Sequence, residues 1–165
     1  MLLDCALILN PILTKMGGLH IDDAAGWANF SDPCVVNFLL EYGREFPVEG
    51  LERLTRTPFP DYQRDLDSVQ CHRNCLDLAC YVGNGTSQYR VVYGWALSAN
   101  GTWYCHSWCI KRNGFQNIVE TTLPRLAYFG FVVPDGVDLR GVYFVPSNLG
   151  EELDKWRTSA SSSAL

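Results

Sequence analysis

Two segments of this chain share one arrangement of reactive side chains: Cys71-His72-Arg73-Asn74-Cys75 and Cys105-His106-Ser107-Trp108-Cys109. A cysteine attacks carbonyl carbon only as the thiolate, and a free thiol titrates at roughly 8.5. Useful thiol chemistry at neutral pH therefore needs a device that stabilises the anion. A helix N-terminus is one such device, because its first N–H groups lie outside the hydrogen-bond ladder and its dipole favours negative charge. A neighbouring imidazole is another, and it can also protonate a leaving group. With a helix starting near Ser68, Cys71 falls in the first turn, where the same N–H groups can hold an oxyanion. The chain has three histidines: His20, His72 and His106. His20 follows Gly17-Gly18 in an expected loop. His72 is adjacent to Cys71 and points about 100° away on a helix, so it is not the expected partner. His106 is the partner the pattern selects.

These residues require a helix and a set of strands to bring them together. Cys71–Val82 reads as a helix with Cys71, Cys75, Leu78 and Val82 on one face. Gln88–Leu97, Thr102–Ile110 and Phe115–Thr121 are β-branched and aromatic runs separated by Asn100-Gly101 and Asn113-Gly114, which predicts a three-stranded antiparallel meander. Alternation along the second strand puts His106, Trp108 and Ile110 on one face and Cys105, Ser107 and Cys109 on the other. Pairing across Asn113-Gly114 brings Glu120 or Thr121 level with residues 106–108, where a carboxylate can orient the imidazole. Upstream, Asp32-Pro33 and Gly43 bracket an amphipathic helix over Cys34–Tyr42, with Val35, Phe38, Leu39 and Tyr42 on its apolar face. Ile21–Phe30 predicts a shorter helix, Arg56–Gln63 an extended passage forced by Pro58 and Pro60, and Met1–Leu13 a buried helix or strand. Val142–Val145 predicts a further strand, Glu151–Trp156 a terminal helix, and Ser159–Leu165 a disordered tail. Helices followed by an antiparallel sheet make the class α+β, in one domain over residues 1–158.

The order of motifs resembles the small papain-like cysteine proteins of bacteria, their phages and bacterial effectors. In that family the pattern runs approximately Cys-Tyr-x-Asn, Glu-Gly-Tyr/Trp, His-Ala-Trp, Asp-x-Thr and Tyr-Phe-Gly. Here the corresponding stretches are Cys71-His72-Arg73-Asn74, Tyr93-Gly94-Trp95, His106-Ser107-Trp108, Glu120-Thr121-Thr122 and Tyr128-Phe129-Gly130. The resemblance covers residues 70–131 and departs from the pattern at His72, Tyr93, Ser107 and Glu120. It implies a papain-like fold and a catalytic triad of Cys71, His106 and Glu120. It also implies amide or thioester chemistry through an acyl-thioester, as in proteases, glutamine deamidases and transglutaminase-like acyl transferases. A glutamine upstream of the nucleophile, Gln70 or Gln63, would then donate to the oxyanion unless it is simply a surface residue. Asn74 is either a substrate-binding residue or a solvated helix position. Trp108 either lines the substrate site and shields the imidazole or, like Trp95 and Trp103, belongs to the core.

Composition narrows the alternatives. With 165 residues, 47% of them apolar, the chain suits a domain with a substantial core. Its net charge of −5 and scattered Lys and Arg give nucleic acid no basic stripe to bind. No segment is apolar for long enough to span a bilayer. Seven cysteines, an odd number at irregular spacing with no export signal, suit a reducing, cytoplasmic setting better than a disulfide framework. Cys5, Cys34 and Cys80 then read as small buried hydrophobes, and the sequons at Asn29, Asn84 and Asn100 as turn sequences. The triad needs no cofactor, and its expected partner is a protein or peptide substrate. Two other readings stand beside it. The paired Cys-His-x-x-Cys units, thirty-four residues apart, could form a structural zinc module. Against this, Cys105 and Cys109 lie about 13 Å apart on a strand at roughly 3.3 Å per residue. The domain could also be a catalytically inactive papain-like binding protein.

Overall fold

The computed structural model describes residues 11–17, 20–21, 32–81, 87–113, 117–139 and 148–162. Among these residues four helices flank one mixed sheet, an α+β arrangement. The helices are residues 11–15 (α1), Pro33–Tyr42 (α2), Cys71–Cys80 (α3) and Leu149–Ser162 (α4). The strands are His20–Ile21 (β1), Arg44–Phe46 (β2), Glu52–Arg53 (β3), Tyr89–Leu97 (β4), Thr102–Lys111 (β5), Ile118–Glu120 (β6) and Ala127–Val132 (β7). Six of them run in the order β2-β7-β4-β5-β6-β3, and β1 joins β5 separately.

The expected meander is present. β4 and β5 pair antiparallel along their whole lengths from Tyr89↔Lys111 to Leu97↔Trp103, and β6 pairs with β5 at Cys109↔Val119 and Ile110↔Ile118. At the first turn Gly101 takes φ 81° while Asn100 Oδ1 accepts from Thr102 N at 3.0 Å, the backbone that an Asn-Gly pair favours. On the other side of β4 lies β7, which pairs antiparallel from Val92↔Val132 to Leu97↔Ala127. β7 is central to the sheet and is not foreseen by periodicity, because its run Ala127-Tyr-Phe-Gly-Phe-Val132 is apolar throughout.

Side-chain alternation divides the core into two layers. Tyr89, Val91, Tyr93, Trp95 and Leu97 of β4 join Trp103, Cys105, Cys109, Phe129 and Phe131 beneath α2, α3 and α4. The even-numbered Val92 and Ala96 join Phe46, Trp108, Ile110, Ile118 and Tyr128 on the opposite face. The buried thiols are Cys75, Cys105 and Cys109, whereas Cys34 and Cys80, expected to be buried, are half-buried. Their elements explain this: Cys34 is the second residue of α2, with its Sγ donating to Asp154 Oδ1 at 3.6 Å, and Cys80 is the last residue of α3.

Helix boundaries follow their caps. Asp32 accepts from Cys34 N at 2.8 Å and Pro33 begins α2. Gly43 closes it in an extended conformation (φ −67°); a Cβ there would stand 2.1 Å from Leu39 O, so close backbone approach is what requires glycine. α3 begins later than the expected Ser68. Asp67 captures Val69 N with its carboxylate (2.9 Å) and Gln70 N with its carbonyl (3.3 Å), so Gln70 becomes the N-cap and Cys71 the first helical residue. α4 runs past the expected Trp156, through Ser162. Ser159, Ser161 and Ser162 hydroxyls bond back to carbonyls three or four residues earlier, so the expected tail is helical over 159–162. Ile21, expected to open a helix, lies in β1. The rest of that helix (22–30), the strand at Val142–Val145 and Met1–Asn10 lie outside the described residues. Among the described residues no helix is long and apolar enough to cross a membrane.

Candidate active site

Three elements supply the reactive groups. α3 packs on the face of β5 that carries Cys105, Ser107 and Cys109, with Cys109 Sγ donating to Cys75 O at 3.7 Å. That contact anchors the helix and holds Cys71 one turn earlier, near the middle of β5. His106 belongs to the opposite face, with its ring 6.2 Å from Trp108 at 22° and 6.2 Å from Tyr128. β5 is paired on its outer edge to β1 at residues 102–103 and to β6 at 109–110. His106 sits between those two stretches, where the thiol and the imidazole come within hydrogen-bonding reach of each other.

The register of β6 continues to place Glu120 level with Trp108, and its side chain turns inward to the imidazole. Glu120 Oε2 lies 2.9 Å from His106 Nε2 and accepts from Tyr128 Oη at 2.8 Å. Its Oε1 accepts from Thr121 N, Thr122 N and Thr122 Oγ1, each at 2.9 Å. Glu120 is 0% exposed, and five donors point at its two oxygens. Its backbone is held as firmly: Arg53 of β3 pairs with it, Leu54 N donates to its carbonyl at 2.8 Å, and Arg53 Nε donates to Thr122 O at 2.9 Å. Burial alone would push the carboxyl up; His106, Thr122 and Tyr128 outweigh that and hold it below the usual glutamate value. Glu120 in turn adds to the burial that pushes the Tyr128 phenol up, keeping it a donor. With Nε2 engaged by Glu120, the ring nitrogen left to His106 for the thiol is Nδ1.

The charges around the thiol settle its state. Burial would raise Cys71, but the charge of His72, the hydrogen bond and charge of His106, and the hydrogen bond to His72 together hold it well below an ordinary thiol. For His106, burial works toward a lower value. The hydrogen bond and charge of Cys71, followed by those of Glu120, prevail and bring it to about 9. Both shifts favour the thiolate and imidazolium over the neutral pair. Other cysteines behave oppositely. Burial pushes Cys75 and Cys105 well up, and burial with the nearby Asp154 carboxylate raises Cys34.

The remaining predicted residues take different places. Trp108 is fully buried. It packs edge-on to Phe46 (5.4 Å) and Tyr128 (5.0 Å) and lies alongside the imidazole, so it is a core aromatic that covers His106. Gly130 makes room for it: a Cβ there would come within 2.8 Å of the Trp108 ring. Asn74 is neither solvated nor open to a ligand. It is 0% exposed, its Oδ1 accepts from Arg64 and Asp67 N, and its Nδ2 donates to Asp67 O (2.6 Å) and Thr121 O (3.3 Å). It therefore ties the loop before Cys71 to the loop after Glu120. Gln70 is exposed and its side chain makes no capping bond. The first intrahelical bond runs from Asn74 N to Gln70 O at 2.9 Å, so the N–H groups of Cys71, His72 and Arg73 precede the ladder.

His72 is the residue that sequence reasoning set aside. Side chains in a first turn lean toward the helix N-terminus, and an imidazole is long enough to close the angular gap to its neighbour. The signal that would have found it is the serine at position 107, on the strand face that α3 covers. The paired Cys-His-x-x-Cys units do not converge on a metal. Among the described residues no three His, Cys, Asp or Glu side chains are arranged to hold one, and Cys105–Cys109 is continuous strand. No family model, curated protein or solved structure matches this chain.

Proposed function

We propose that this chain is a papain-like cysteine enzyme that transfers acyl groups from an amide or thioester through an acyl-thioester on Cys71. The observation that carries the proposal is the relay His106–Glu120 at 2.9 Å, its carboxylate fully buried and fivefold hydrogen-bonded, behind the thiol with the lowered pKa. A surface ion pair has no need of five donors; a carboxylate that must hold one imidazole in one orientation does.

In the proposed reaction the Cys71 thiolate attacks the carbonyl carbon, and the carbonyl π-bond electrons move to oxygen. The N–H of Cys71 faces the oxyanion at the positive end of α3. The leaving amine or thiol takes the proton from His106 as its bond to carbon breaks. Neutral His106 then removes a proton from water or an acceptor amine, which attacks the thioester and releases Cys71 as thiolate. Glu120 keeps Nε2–H engaged throughout and offsets the imidazolium charge. A protein or peptide carboxamide is the proposed substrate class.

Alkylation by iodoacetamide, followed for each cysteine by peptide mass spectrometry across pH, tests the premise. Cys71 is expected to react below pH 7 at a rate that Cys34 and Cys105 reach only above pH 8, and peptide amides and thioesters are then assayed for turnover. A Cys71 that reacts no faster than Cys34 at pH 6 overturns the proposal.

A further inference from the structure

Asn74 stands three residues after Cys71 on α3, and its side chain is wholly enclosed at 0% exposure. A carboxamide offers two acceptor sites on oxygen and two hydrogens on nitrogen. Here Oδ1 accepts from Arg64 Nη2 at 3.2 Å and Asp67 N at 3.3 Å, while Nδ2 donates to Asp67 O at 2.6 Å and Thr121 O at 3.3 Å. A backbone N–H can only donate and a carbonyl can only accept, so these partners fix the amide in one orientation.

Each partner leads to one half of the candidate site. Asp67 sets the start of α3: its carbonyl also accepts from Gln70 N at 3.3 Å and its carboxylate from Val69 N at 2.9 Å, immediately before Cys71. Thr121 leads to Glu120. The peptide group joining Thr121 to Thr122 gives its oxygen to Asn74 and its N–H to Glu120 Oε1 at 2.9 Å. A trans peptide is planar, with C=O and N–H on opposite sides, so holding one end aims the other. Asn74 thereby reaches the Glu120 carboxylate through one rigid plane, and that carboxylate holds His106 Nε2 at 2.9 Å. The segment between the two halves is stiffened from within. Thr57, 3% exposed, donates through Oγ1 to Tyr62 O at 2.6 Å and accepts there from Arg64 N at 2.8 Å. From this segment Arg64 bridges Asn74 and Asp77, one turn apart on α3.

We propose that Asn74 is a positioning residue for the acyl-transfer site: its carboxamide locks the helix start that carries Cys71 in register with the peptide that aims Glu120 at His106. The assignment rests on the reading of Cys71 as the nucleophile. Asn74 acts through Asp67 on one side and the Thr121–Thr122 peptide on the other, and Arg64 acts through Asn74. A carboxylate of the same size cannot replace it, because it would turn oxygen toward two carbonyl oxygens in an enclosed space.

The test is the rate of Cys71 alkylation by iodoacetamide against pH in the full chain, measured in wild type, Asn74→Ala, Asn74→Asp, Arg64→Lys and Ser87→Ala. Ser87→Ala is the control for stability, because the Ser87 hydroxyl braces the other end of α3 through Leu78 O at 3.0 Å. Cys75, 0% exposed, stays unmodified in folded protein and reports folding in the same sample. The expected result is about tenfold slower alkylation at pH 6 in both Asn74 variants. Arg64→Lys keeps a charge beside Asp77 but loses the guanidinium fork, and slows the reaction roughly threefold. Ser87→Ala is expected to keep the wild-type profile at a lowered urea midpoint. A folded Asn74→Ala protein whose profile superimposes on wild type overturns the inference. So does a wild-type rate in Asn74→Asp, which would make the role one of volume, or an equal slowing in Ser87→Ala, since any loosening of α3 would then suffice. Where neither Asn74 variant folds, Arg64→Lys decides, and a wild-type profile there overturns the inference. Failure of the nucleophile reading looks different: Cys71 is then slow at pH 6 already in the wild type.

Discussion

In α3 the segment Cys71–Cys75 covers just over one helical turn, so its two thiols lie on the face toward β5 and His72 leans in beside the first. In β5 the segment Cys105–Cys109 has the same residue types at the same spacing but is extended. There Cys105 and Cys109 point to the helix layer and His106 to the opposite face, among Trp108, Tyr128 and Glu120. In the proposed reaction the reacting member is the cysteine of the first unit and the histidine of the second. Cys71 stands at a helix start between two imidazoles and is held well down; Cys105 sits in the core and burial pushes it well up. Identical local chemistry thus acquires opposite roles from the backbone that carries it. Spacing alone suggests four thiols for one metal, but the continuous strand separates Cys105 from Cys109, and among the described residues no three His, Cys, Asp or Glu side chains are arranged to hold one.

The sharpest way to break the comparison is to remove what makes His106 different from His72, namely Glu120. Both oxygens of Glu120 accept hydrogen bonds, three on Oε1 and two on Oε2. A glutamine has one acceptor oxygen and an NH2 that would face donors, so Glu120→Gln leaves at least one cluster opposed. Turnover is expected to fall by about 10²–10⁴-fold, and stability by about 2–4 kcal/mol. Steady-state kinetics and urea unfolding measure the two. Wild-type turnover in a folded Glu120→Gln protein would remove the carboxylate from the relay.

How far the sequence revealed this arrangement depends on whether a feature is local. Cys71, His106 and Glu120 were legible from residue type and order, and from strand pairing that sets Glu120 beside the middle of β5. β2 and β3 were not, since runs of three and two residues are strands only by virtue of the neighbours β7 and β6. Asn74 looked like a helix surface position because nothing local shows that residues 64–67 fold over it. His72 was discounted by an angle computed for side chains without length. The papain-like likeness rests on five short motifs in order.

A smaller effect, but one that sharpens the difference between the two histidines, is the pH profile. The competent form of the proposed enzyme holds Cys71 deprotonated and His106 protonated. As pH rises through the lowered Cys71 value, kcat/KM increases; as it rises further through about 9, His106 loses its proton and kcat/KM falls. The expected profile is a bell with a plateau around neutrality and a tenfold fall per unit, roughly, on either side. Because Glu120 helps raise His106, the alkaline limb is expected to move to lower pH in Glu120→Gln while the acid limb stays nearer its place. An alkaline limb that does not move would detach His106 from that limb.

The smallest expected effect is at Cys105, the counterpart of Cys71 in the second unit. Its thiol is 8% exposed, donates to Tyr93 Oη at 3.6 Å and is held in its protonated form by burial. Cys105→Ala removes one sulfur from a packed layer and one weak hydrogen bond, a loss of about 1 kcal/mol in stability. Tyr93 keeps its stack on His72, so the geometry around Cys71 is retained. Turnover within twofold of wild type is therefore expected, with Cys71 alkylating on an unchanged pH profile in the same preparation. If Cys105→Ala instead loses turnover while Cys71 remains fully reactive, the second cysteine takes part in the chemistry, and the division of labour between helix and strand no longer holds.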